Sequence, residues 1–177
     1  MPNEKGYLYI FEAVELRNEY DRHIKLLESL LYEDRDRADS FLRSKEDEVK
    51  EPANDFHPKE LEDQLKKIQT KRVKLNQAIQ EANFTYRIKF EGDEITIAEA
   101  LEVRKNLLVE LNSMTDKVKN SAYKKIIHKE ERDIIHEPKH SFVEAYDEFR
   151  KKLIKLREMV NVIHLANHEK VVKFKEE

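Results

Sequence analysis

Cysteine and tryptophan are absent, and the 177 residues include only two glycines and four prolines. Without thiols there is no disulfide, no thiolate metal site and no cysteine nucleophile. So few turn formers argue against a sheet-rich domain, which needs a Gly, Pro, Asn or Asp cluster at each reversal. No stretch approaches the roughly 18 consecutive apolar residues of a membrane span. The opening MPNEKGYLYIFEAVE meets acid after a short apolar run, unlike a signal peptide, so the expected location is the cytoplasm, with no membrane partner. A dominant charge sign is missing too. The 34 basic and 37 acidic residues are closely mixed and sum to −3, without the broad positive field of a dedicated nucleic-acid binder.

Charged residues make up 40% of the chain and apolar ones 39%. That balance suits long amphipathic helices, each with one apolar stripe and the remainder in solvent. The strongest organisational signal is self-similarity. YIFEAVELRNEY, from Tyr9, is matched 87 residues on by TIAEALEVRKNL, from Thr96, with Glu12, Ala13, Glu15 and Arg17 answering to Glu99, Ala100, Glu102 and Arg104. A second match closes the units at an offset of 84. AIQEANFTYRIKF pairs with VIHLANHEKVVKF, so that Ile79, Ala82, Asn83, Lys89 and Phe90 answer to Ile163, Ala166, Asn167, Lys173 and Phe174. Two matches in the same order predict an internal duplication with units of about 9–90 and 96–174, that is, a first repeat in 1–93 and a second in 94–177, packed as one domain.

Periodicity gives each unit its architecture. Ile10, Ala13, Tyr20, Ile24, Leu27 and Leu31 recur at spacings of three, four or seven, as do Ile97, Ala100, Leu107, Leu111, Met114 and Val118. The second helices run through Leu61, Leu65, Ile68, Leu75, Ile79 and Ala82, broken by Arg72, and through Phe142, Ala145, Phe149, Leu153, Leu156, Val160 and Ile163. Pro58 suits the first turn of its helix, and the helices are joined by irregular charged stretches. TYRIKF-EGDE-ITI alternates around Gly92 and predicts a small hairpin, while YLYI and KVVKF occupy the matching outer ends. The expected fold is mainly α: two tandem antiparallel helical hairpins, packed like short coiled coils in a four-helix-bundle-like arrangement, with short strands gathered at one end.

At AN-x-T…G-D-E-I-T-I-A-E-A-L-E-V-R, through Asn83, Thr85, Gly92, Thr96, Glu99, Ala100, Leu101 and Arg104, the sequence resembles the septicolysin-like family of small bacterial proteins. The closing IQEAN of that family is similar to Ile79–Asn83. The resemblance implies a small helical protein and no established reaction. A cytolysin is not supported by a chain without cysteine or a long amphipathic β segment.

Several residues invite chemistry. Arg17 and Arg104 fall on the apolar stripes of their helices, where a guanidinium must be paired or line a cleft. With Asn83 and Asn167 they suggest two anion-binding pockets, although the favoured reading is that they satisfy carbonyls and helix ends. His164/His168 and His136/His140 are each four residues apart, as zinc ligands on a helix are, yet no HExxH accompanies them. Glu12/Glu15 with Glu33/Asp36, and Glu99/Glu102 with Glu130/Asp133, resemble the paired carboxylates that hold magnesium in helical nucleotide pyrophosphohydrolases. Lysine runs at Lys66, Lys67 and Lys71 and at Arg150, Lys151, Lys152 and Lys155 are diluted by acids and poorly interleaved with aromatics. The expected role is therefore non-enzymatic assembly or protein binding, as a homo-oligomer or with a protein partner and no cofactor. A magnesium-dependent phosphate hydrolase is the alternative, and a nucleic-acid-associated protein a weaker one.

Overall fold

The computed structural model describes residues 6–39, 53–130 and 132–175, with side chains at 33–39 outside the description. The Glu33/Asp36 pair considered above therefore lies outside the described side chains. Element order is β1 (Tyr7–Tyr9), α1 (Ile10–Asp39), α2 (Pro58–Thr85), β2 (Arg87–Phe90), β3 (Asp93–Thr96), α3 (Ile97–Ser121), β4 (Lys125–Ile127), β5 (Ile134–His136), α4 (Phe142–Glu169) and β6 (Val171–Lys173). The fold is mainly α, with short antiparallel strand pairs.

The strands pair β1 with β6, β2 with β3 and β4 with β5. Tyr9 lies opposite Val171, Leu8 opposite Val172 and Tyr7 opposite Lys173. In the second pair, Thr96 lies opposite Arg87, Ile95 opposite Ile88 and Glu94 opposite Lys89. Shifted by the sequence offsets of 87 and 84, these are the same partners in the same register. The bond that follows is also repeated: Ile10 N–H donates to the Lys170 carbonyl at 3.0 Å, and Ile97 N–H to the Tyr86 carbonyl at 3.1 Å. Each ties the first residue of a helix to the residue preceding the paired strand. The β2–β3 turn has Glu91 at φ 53° and Gly92 at φ 95°. Two consecutive left-handed residues make the tight turn whose twist matches a hairpin, and glycine takes the second without Cβ strain.

Two compact units emerge. The first comprises the described residues up to Ala82 together with those from His168 onward, and the second runs from Asn83 to Asn167. The division falls near the ends of α2 and α4, whereas the sequence repeats divide near 93. The physical reason is strand pairing: β1 and β6 lie on opposite sides of the expected boundary, as do β2 and most of β3, and an antiparallel ladder holds its two strands in one unit.

In the first unit α1 and α2 are antiparallel, as the side-chain bonds Arg17–Asn76, Asp21–Arg72 and Glu28–Gln69 require. Its buried apolar residues are Ile10, Ala13, Tyr20, Leu27, Leu31, Leu75, Ile79, Ala82 and Val172. In the second unit Lys117–Glu148 and Lys152–Glu110 likewise set α3 against α4. Its core is Ile88, Ile97, Ala100, Leu107, Leu111, Ala145, Met159, Ile163 and Ala166. Two expectations need correction here. Met159 is fully buried, while the predicted Val160 is half-buried and Leu153 and Phe142 are exposed. The stripe follows a Met159–Ile163–Ala166 line that mirrors Leu75–Ile79–Ala82. The stretch between α3 and α4, expected to be irregular, contains the β4–β5 pair, with Ile126 opposite Ile135 and both half exposed.

Candidate functional site

The most repeated polar residues sit where strands turn into helices. Thr96 is the N-cap of α3: its hydroxyl accepts from Glu99 N–H at 3.1 Å, and Glu99 reaches back to accept from Thr96 N–H at 2.7 Å and from the Thr96 hydroxyl at 2.9 Å. This is a reciprocal capping box, which satisfies donors that the helix itself leaves open. Glu12 makes the glutamate half of this arrangement at the start of α1, accepting from Tyr9 N–H at 2.8 Å. The repeated first glutamate is thus occupied at a helix start. Its partners in the expected carboxylate pairs point elsewhere: Glu15 is exposed, and Glu102 lies 3.6 Å from Lys105 on the open face of α3. Among the described residues no three His, Asp or Glu side chains gather as a metal site.

The bonds from the Thr96 backbone, and then from its side chain, hold the Glu99 carboxyl below its ordinary value of 4.5. A carboxyl with a lowered folded-state pKa stabilises the fold above its unfolded pKa and loses that contribution as pH falls through the folded value. We therefore expect Glu99→Ala to destabilise at neutral pH and to differ less from the parent in acid below the usual carboxylate range. Parallel urea melts of the two proteins at both pH values check this.

The two repeated arginines have different surroundings. Arg17 is half-buried and donates to the Asn76 side chain at 3.4 Å, one turn from Arg72, which donates to Asp21 at 2.9 Å. These four residues form a polar seam between α1 and α2. Arg72, the break in the apolar stripe, is explained by Asp21. At the equivalent positions of the second unit stand Leu108 and Leu156, and Arg104 is exposed. Asn83 is buried and Asn167 half-buried at the ends of α2 and α4, both in the second unit, while Arg17 belongs to the first.

The histidines are dispersed. The His168 ring packs on Phe11 with centroids 4.4 Å apart, and His164 is exposed. His136 ends β5 and His140 follows in the loop, so their spacing is not helical. Two lysines of the basic run of α4 are paired with acids within their own unit. Lys152 meets Glu110, and Lys155 donates to Glu91 at 2.6 Å while standing 5.7 Å from the centre of the Phe90 ring.

An apolar stripe on α4 is left in the open. Phe142, Tyr146, Phe149 and Leu153 recur along α4 at helical spacing, with Phe142 45%, Tyr146 44% and Leu153 43% exposed. The Phe142 and Tyr146 rings stack at 5.7 Å with planes 11° apart. Among the described residues no helix is long and apolar enough to cross a membrane.

No protein-family model matches the chain, and no curated protein does. A solved structure described as a functionally unknown conserved protein from Corynebacterium diphtheriae is similar, with a TM-score of 0.69 and 21% identity over 94% of this chain and 99% of that one. That likeness establishes a shared fold, spanning nearly the whole of both chains.

Proposed function

We propose that this is a non-enzymatic helical module, derived from a duplicated strand–helix–helix–strand unit, that associates with a second copy of itself through the first half of α4. The observation that carries the reading is the Phe142–Tyr146–Phe149–Leu153 stripe. Four large side chains on one helix face, three of them exposed and two stacked, keep apolar surface in water along about three turns. Aromatic anchors of this kind dominate interface energetics, and a self-complementary stripe is what a twofold dimer uses. The identical register of β1–β6 and β2–β3 supports the duplicated origin.

Magnesium-dependent hydrolysis draws no support from the carboxylates, since Glu12 and Glu99 are engaged in capping. The test is size-exclusion chromatography with light scattering across a concentration series. The parent elutes at a multiple of the 21.3 kDa chain mass, and Phe142→Glu combined with Tyr146→Glu elutes as a monomer with unchanged circular dichroism. Each substitution acts on both copies of a twofold dimer, and a loss of about 4 kcal/mol in all already weakens association by roughly a thousandfold. A parent that stays monomeric at the highest concentration, or a variant that associates as before, rejects the reading.

A further inference from the structure

The β4–β5 pair closes a cleft of about 450 Å³ between the end of α3 and the start of α4, all within the second unit. Three lysines line it, Lys117, Lys125 and Lys139, with the imidazoles of His136 and His140 beside them. The acids nearby are already occupied. Lys117 donates to Glu148 at 2.7 Å, and Glu137 accepts from Lys124 at the same distance. Glu148 is held below the ordinary carboxylate range by that hydrogen bond, then by the Lys117 charge and more weakly by His140 and Lys151. Lys125 and Lys139 have no acidic partner among the described residues. Two ammonium groups without an acidic partner are thus brought to one cleft.

We propose that this cleft binds a small phosphomonoester carrying a flat ring, of mononucleotide size. Two free ammonium groups match the two charges of a phosphomonoester, and lysine serves phosphate as a point charge. The imidazoles and the Asn120 side chain, also in the lining, supply further hydrogen-bonding groups around it. The chain then enters α4, whose N-terminal N–H groups favour negative charge. Tyr123, 84% exposed at the margin, offers a ring face to a base. The cleft volume lies within the range of roughly 300–1,000 Å³ typical of small-molecule sites.

The experiment is an amide NMR titration of the full chain with adenosine monophosphate, with adenosine and inorganic phosphate as separate probes. We expect saturable shifts confined to the segments around Lys117–Lys125 and His136–Phe142. Binding of the monophosphate should be tighter than of either adenosine or phosphate alone. Lys125→Gln with Lys139→Gln should weaken it about tenfold or more, as the loss of charge-assisted bonds implies. Lys66→Gln with Lys67→Gln, removing the same charge from the exposed face of α2, should leave it unchanged. Equal loss in the two double variants, adenosine binding as well as its monophosphate, or shifts absent from the cleft would each overturn the proposal. Retained binding in a well-folded Lys125→Gln/Lys139→Gln protein would do so too.

Discussion

Truncating Leu75 to alanine lowers the free energy of unfolding by about 2–5 kcal/mol, and truncating Met159 does the same. Both side chains are 0% exposed, and they occupy equivalent positions on α2 and α4. Each stands four residues before a buried isoleucine, Ile79 or Ile163, and seven before a buried alanine, Ala82 or Ala166. The stripe leaves little room to relax, because the helix that faces each of them is pinned at its start. Ile10 N–H is tied to the Lys170 carbonyl in one unit and Ile97 N–H to the Tyr86 carbonyl in the other. A helix held at that point cannot slide inward to fill a void, so the cavity cost adds to the lost transfer energy. Val73→Ala and Leu165→Ala, at 60% and 63% exposure, supply the contrast and should change stability by about 0.5 kcal/mol or less. Equilibrium urea unfolding, with the slope checked for constancy, measures all four. If Leu75→Ala and Val73→Ala were equally stable, the assignment of the core stripe would be wrong.

Much of this arrangement is legible in the sequence because it is local and periodic. Ile10, Ala13, Tyr20 and Leu27 repeat with the helical period, and all four are buried. Pro58 opens α2 as its fixed φ and missing N–H suit, and Gly92 marks the β2–β3 turn. What escapes is either long-range or weakly encoded. That β1 pairs with β6 rather than with β2 depends on strands more than 160 residues apart, which no periodicity reports. The β4–β5 pair has three-residue strands and no glycine at its turn, and its Ile126 and Ile135 stay half exposed, so nothing distinguishes it from a charged loop. Periodicity alone favours Val160 over Met159 because spacings of three and four are both helical; alignment to Leu75 resolves the choice. The capping role of Glu99 was readable from Thr96-x-x-Glu99 itself. Seen as one of four glutamates shared between repeats, it looks like a metal ligand instead. The basic cleft draws its lysines from three separate segments, so only folding brings them together.

Placing an aspartate at Val172 or at Ile88 should prove more damaging than either alanine truncation is at its lower bound, costing about 4 kcal/mol or more at neutral pH. The two positions are equivalent. Val172 lies opposite Leu8 and is 1% exposed, and Ile88 lies opposite Ile95 and is 8% exposed. Each is the inward residue of a strand whose next residue, Lys173 or Lys89, is exposed on the other side, as a period of two requires. No charged side chain is buried among the described residues, so a carboxylate forced inward must either stay protonated or open the strand pair. Desolvation raises the pKa of such a group above its unfolded value, so its destabilisation is least below the unfolded pKa of about 4 and grows as pH rises. Lys173→Asp and Lys89→Asp carry the same new charge on the exposed side and should stay within about 1 kcal/mol of the parent. Thermal and urea melts of the four variants near neutrality and in mild acid decide the matter. If Val172→Asp tracked Lys173→Asp at both pH values, β6 would not be packed against the core. The closing segment of the chain would then be dispensable, and the correspondence between its strand and the β2–β3 hairpin would carry no energetic meaning.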